Sequence, residues 1–247
     1  MKVILLGDSI TQGIGSKAVN YQAELELLLG DESMVLNWAV TGSTIDCAVA
    51  VCARLIEERP DFVVLLYGNV DAQIRPCRTG KLFRYLPGRF GAVNGCMILP
   101  RPFYSHKWYL WLLQRLENVL RSLFRHMIYH FDGTEQWVQP ERYLQTLDAV
   151  CKRMHSAGIH PVICSTVYID ERLFPGSDVE YRKINALMLQ YATENGYDFV
   201  DLYSALKQRV QQEGWSVCYN EDHFHPNAAG YHVFATQIAK ALNRNHL

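Results

Sequence analysis

Val3-Ile4-Leu5-Leu6-Gly7-Asp8-Ser9-Ile10-Thr11 is a short apolar run that ends in a glycine, a carboxylate and a hydroxyl. Four apolar residues with no polar alternation read as a strand covered on both faces, as in a parallel sheet. A hydroxyl at the tip of such a strand is one third of a serine hydrolase. Asp222-His223-Phe224-His225-Pro226-Asn227, near the other end, holds an Asp three residues before a His and can supply the other two thirds. A serine hydroxyl is a weak nucleophile until a base stands beside it. His225 can take its proton, and Asp222 can hold the imidazole tautomer. The order Ser, Asp, His occurs in α/β hydrolases, although the G-x-S-x-G elbow is absent.

Similar runs recur at Met34–Trp38, Phe62–Leu66, Pro161–Ser165 and Phe199–Leu202. Helical patterns lie between them, at Tyr21–Leu29, Thr44–Glu57, Glu141–Ala157, Val179–Asn195, Tyr203–Glu213 and Ala228–Leu242. This alternation predicts one doubly wound parallel sheet within a single domain spanning 1–247. Reactive groups in such folds gather beyond the carboxyl ends of the strands, and Ser9, Gly42 and Asp71 each follow a strand.

The rhythm breaks over 72–139. Residues 73–102 are rich in Gly, Pro and Arg and read as a long loop or lid; Phe103–Phe131 reads as an amphipathic helix. Leu112, Leu116, Val119, Leu120, Leu123 and Met127 line one face, and Gln114, Asn118, Arg121 and Arg125 another. Between Ala72 and His130 ten Lys and Arg residues face only Glu117. The basic loop suggests a clamp for an anionic group. The aromatic helix, with Trp108, Trp111 and Phe124, suggests lid packing or weak membrane-surface contact.

The 247 residues are 49% hydrophobic with a formal charge of −1, which argues against a bulk polyanion partner such as nucleic acid. No run reaches the roughly 18 apolar residues of a membrane span. The short apolar start is no signal-peptide core, so a mature start at Met1 and a cytoplasmic location are expected. Seven scattered cysteines with no C-x-x-C pair fit reduced thiols rather than zinc ligation. His223-x-His225 lacks a third nearby ligand and is a poor zinc site, so His223 is expected to be exposed. His126 and His130, one helical turn apart, read as a solvated face. Asp71 reads as a cap, or as an ion-pair partner of Arg75 or Arg78.

Gly7-Asp8-Ser9-Ile10-Thr11 resembles the first sequence block of the GDSL/SGNH hydrolases. Ala39-Val40-Thr41-Gly42-Ser43-Thr44, Gly68-Asn69-Val70-Asp71 and Asp222-His223-Phe224-His225-Pro226-Asn227 are similar to the second, third and last blocks. The resemblance implies a three-layer α/β/α fold with a five-stranded parallel sheet and no cofactor or metal. It implies Ser9 as nucleophile, His225 as base, Asp222 as its orienter, and the N–H groups of Ser9 and Gly42 as oxyanion donors. Gly42, Asn69 and Asp8 form the candidate oxyanion and substrate-binding set. The third block departs from the family's Gly-x-Asn-Asp: Val70 stands where the donating Asn belongs, and Asn69 sits one place early. In a strand that shift reverses the facing direction, unless a local bulge restores it. The variant block followed by a basic segment looks like that of members associated with bacterial exopolysaccharide synthesis. The resemblance implies a serine esterase for small acyl groups, O-acetyl on a carbohydrate first. Alternatives are a carbohydrate O-acyltransferase, a lysophospholipase or thioesterase, and a non-catalytic binding protein.

Overall fold

A computed structural model describes residues 1–16, 21–91 and 98–244. Five parallel strands form the main sheet: β1 (Lys2–Gly7), β2 (Met34–Asn37), β3 (Phe62–Leu66), β6 (His160–Cys164) and β7 (Asp198–Val200), in the order β2-β1-β3-β6-β7. A two-stranded antiparallel ribbon, β4 (Arg75–Pro76) with β5 (Thr134–Glu135), brackets the insertion. The helices are α1 (Ser9–Gln12), α2 (Tyr21–Leu29), α3 (Asp46–Glu58), α4 (Asn69–Ala72), α5 (Lys81–Arg84), α6 (Gly88–Gly91), α7 (Trp108–Phe131), α8 (Pro140–Ser156), α9 (Ser177–Asn195), α10 (Leu202–Glu213) and α11 (Ala228–Arg244).

The apolar strand runs pair as their sequence demands. Val3 to Gly7 match Phe62 to Leu66 in register, and Val63 to Leu65 match Pro161 to Ile163. Both faces of β1 and β3 are buried, so neither strand has a polar side. Helices α2 and α11 pack together with α10 beside them, and α3 packs on α8 with α9 beside it, which gives three layers. The chain reverses its direction across the sheet between β1 and β3. A crevice opens at such a switch point, beyond the strand ends. Gly7 permits the close approach there: a Cβ would lie 2.6 Å from the Leu66 carbonyl and 2.1 Å from Thr11 Oγ1.

The insertion helix departs from expectation at its start. It begins at Trp108 rather than Phe103, because its own polar side chains pin the preceding loop. Asn118 Oδ1 accepts from Arg101 N, and Gln114 Oε1 accepts from Ser105 N. It also turns its polar face inward. Arg121 and Arg125 are buried, whereas Leu113, Leu116, Val119, Leu120 and Leu123 are exposed and Trp108 is 76% exposed. Arg121 of this face lines the crevice. Phe124 packs within the insertion, with Phe90, Ile98 and Ile128. Among the described residues no helix is long and apolar enough to cross a membrane. Six cysteines are free thiols; Cys96 lies outside the described residues.

Candidate active site

Ser9 opens α1 directly after β1. Asp8 caps that turn, its Oδ1 accepting from Ile10 N at 2.8 Å. The short helix stands the Ser9 side chain up into the crevice, and α11 braces it from behind: Tyr231, fully buried, donates its hydroxyl to the Ile10 carbonyl. The turn bearing Asp222 and His225 is pinned to the same place. Asn220 Nδ2 reaches the carbonyls of Gly15, His225 and Pro226 at 2.6, 2.9 and 3.0 Å.

These restraints put three side chains in line. Ser9 Oγ lies 3.0 Å from His225 Nε2, and His225 Nδ1 lies 2.6 Å from Asp222 Oδ2. Asp222 is 1% exposed, and its Oδ1 accepts from the backbone N–H groups of Phe224 and His225. A carboxylate so held accepts the Nδ1 proton. That leaves Nε2 unprotonated and facing the serine hydroxyl.

The three groups open on a cavity of about 320 Å³. Its wall is mainly apolar, from Ile14, Val70, Leu99, Pro100, Phe174 and Phe224, with Gly42 and the guanidiniums of Arg75, Arg101 and Arg121 among it. Gly42 has φ +75°, a conformation that favours glycine. Neither its N–H nor that of Ser9 donates to an acceptor among the described residues.

Asp8 and Asn69, expected in the oxyanion and substrate-binding set, stand behind this wall rather than on it. Both are 0% exposed. Asn69 Oδ1 accepts from Val167 N and its carbonyl accepts from Tyr181 Oη, so no bulge returns it to the cavity; Val70 occupies the wall. The two-sided rule of a strand does not govern this position, because Gly68 (φ +104°) ends the extended run and Asn69 begins α4.

Asp71 acts as a cap, not an ion-pair partner. It accepts from Ile45 N and Gly68 N, while Arg78 pairs with Glu135 and Arg75 lies over the Trp137 ring. Burial pushes the Asp71 carboxyl up to about 7 and that of Asp8 up to about 6. Both then keep a proton in the native protein at pH values where an unfolded chain has lost it. Stability from this source is full below about pH 4 and is lost as pH rises through 6 to 7. Thermal melts between pH 5 and 7.5 should therefore fall less steeply for Asp8→Asn than for wild type. Parallel curves would show that Asp8 carries no such proton.

His223 is not the free surface group expected. Its Nδ1 lies 2.7 Å from Asp170 Oδ2, and its ring stacks on Trp215 at 4.8 Å and 5°. The backbone there has φ +51°, costly for a side chain of this kind, and these two contacts hold it. Asp170 and Trp215 were invisible as site-building residues, because nothing local marks a partner 53 residues away. His126 stays on the solvated face, its Nδ1 against the Ser122 carbonyl. No group of three or more potential metal ligands occurs among the described residues.

A parallel α/β sheet with a serine, a histidine and an aspartate converging at its switch point defines a hydrolase of the SGNH class. The chain belongs to the GDSL-like Lipase/Acylhydrolase family, whose model matches residues 5–233. It is a serine ester hydrolase. Solved structures with the same fold include Axe2, an acetylxylan esterase from Geobacillus stearothermophilus. That match has 17% identity and a TM-score of 0.63, and covers 98% of this chain and 93% of the other. The acetyl xylan esterase AlAXEase matches at 16% identity and TM-score 0.62, covering 98% and 100%. LAE5, an α/β hydrolase from the metagenome of Lake Arreo in Spain, matches at 19% and 0.63, covering 98% and 94%. A search of curated proteins returns no match to the chain.

Proposed function

We propose that this protein is a single-domain serine esterase that removes small acyl groups, O-acetyl above all, from a carbohydrate. The line Ser9 Oγ, His225 Nε2, His225 Nδ1, Asp222 Oδ2, with its 3.0 and 2.6 Å separations, carries the reading. Ser9 Oγ attacks the ester carbonyl and gives its proton to His225 Nε2, while Asp222 stabilises the imidazolium. The N–H groups of Ser9 and Gly42 receive the oxyanion. Collapse expels the alcohol with the proton from His225 and leaves an acyl-serine. Water then attacks, His225 again taking and returning the proton, and the acid departs. The chain's own groups handle every proton in this route.

The apolar lining and modest size of the cavity favour a short acyl chain, and the acetylxylan esterases among the structural matches support acetate on a sugar. The insertion over 72–139 acts as the lid that shapes the alcohol side. Hydrolysis of p-nitrophenyl esters from acetate to octanoate tests the reading, with fastest turnover expected at acetate. A preference for octanoate would turn it toward a lipid substrate.

Val70 leaves the oxyanion with two backbone donors and without the family's side-chain amide. One such donor is worth roughly 10²–10³ in rate. Val70→Asn, which puts an amide on the cavity wall, is expected to raise kcat about tenfold or more. An unchanged kcat would mean that two amides already suffice.

A further inference from the structure

The lid carries more positive charge into the site than its own carboxylates balance. Arg121, 5% exposed, donates to Glu117 Oε1 and to the Leu99 carbonyl, and Arg101 donates to Glu117 Oε2. Two guanidiniums thus share one carboxylate, and both line the cavity that holds Ser9. Arg125, one helical turn further on, is 3% exposed and has no hydrogen-bond or ion-pair partner among the described residues. It faces a small cavity of about 40 Å³, whose lining shares Pro100 and Arg121 with the larger one.

A guanidinium does not shed its charge at any ordinary pH. A buried one without a counter-ion is strongly unfavourable. A space of about 40 Å³ holds roughly three water-sized atoms, which is the size of a carboxylate head. Arg forks match such an oxyanion group with paired hydrogen bonds.

We propose that the ester substrate is anionic, and that its carboxylate or phosphate seats against Arg121 and Arg125, on the alcohol side of the ester. The inference rests on the esterase reading for the reacting end of the substrate. The anion would fix the alcohol portion and so orient the carbonyl over Ser9, turning remote binding into alignment.

Two measurements decide it. In the first, kcat/KM of the wild-type protein is compared on an O-acetylated glucuronate saccharide and on its neutral glucose counterpart. The acidic ester is expected to be favoured about tenfold or more, the worth of a hydrogen bond to a charged group. Equal values would overturn the carboxylate form of the proposal and leave the phosphate form to the second measurement. In the second, calorimetry follows glucuronate and inorganic phosphate binding to Ser9→Ala. Binding is expected to weaken about tenfold when Arg125→Gln is added and to recover in part with Arg125→Lys. Tighter glucuronate marks a carboxylate substrate and tighter phosphate a phosphorylated one, whereas no binding of either overturns the site. Loss of all ester turnover alongside intact anion binding would instead sink the esterase reading and leave the anion site standing.

Discussion

Ser9→Ala is expected to lower ester turnover by about 10⁴–10⁶-fold while the protein stays folded. The side chain makes one polar contact, to His225 Nε2 at 3.0 Å. Its removal therefore costs about 1 kcal/mol of stability at most. The wall, the two backbone amides and the His–Asp pair remain in the variant, so substrate binding should change little. Stopped assays on p-nitrophenyl acetate, with circular dichroism and thermal melts beside them, separate the two effects. Residual activity within a factor of ten of wild type would show that Ser9 is not the nucleophile, whatever its geometry.

Asp222→Asn is expected to cost about 10⁴-fold in kcat near neutral pH, nearly as much as losing the nucleophile. Asparagine keeps an oxygen for the N–H groups of Phe224 and His225, which Asp222 Oδ1 now accepts at 3.1 and 3.0 Å. What it loses is the acceptor for His225 Nδ1. An amide N–H there favours the opposite tautomer, which presents a proton to Ser9 instead of a lone pair. Asp222→Ala is a harsher change, because it also strands two backbone donors at a cost of about 1–3 kcal/mol. Comparable melting of wild type and the Asn variant, with the collapse confined to kcat, is the expected signature. An Asn variant that keeps its rate would reduce Asp222 to a turn-former.

Much of this was legible in the chain. Continuous apolar runs such as Phe62–Leu66 admit little but a covered parallel strand, and that strand has the bounds read from the sequence. Ser9, Asp222 and His225 could be named because a hydroxyl at a strand tip and an Asp–His pair on a turn are fixed by neighbours in sequence; Gly42 came from the resemblance of its block. Legibility failed where geometry depends on distant partners. A helical wheel shows that α7 has two faces but not which one meets water. The charge network of Glu117, Arg101 and Arg121, and the closure of the site, decide that. Asn69 was misplaced because Gly68 switches the backbone from strand to helix at that residue. The His223–Asp170 pair had no local signal at all.

Ser9 and His225 are separated by 216 positions, and this separation has a meaning in time. At synthesis rates of 5–20 residues per second, roughly 10–40 s pass between the emergence of one and the other. Strands β1, β2 and β3 are all synthesised long before the base that takes the Ser9 proton. All five strands are thus made before the base, and activity needs the last turn and α11. A chain broken off before residue 222 would lack the Asp222–His225 pair and also α11, whose Tyr231, Phe234 and Ile238 belong to the core, and is expected to be inert.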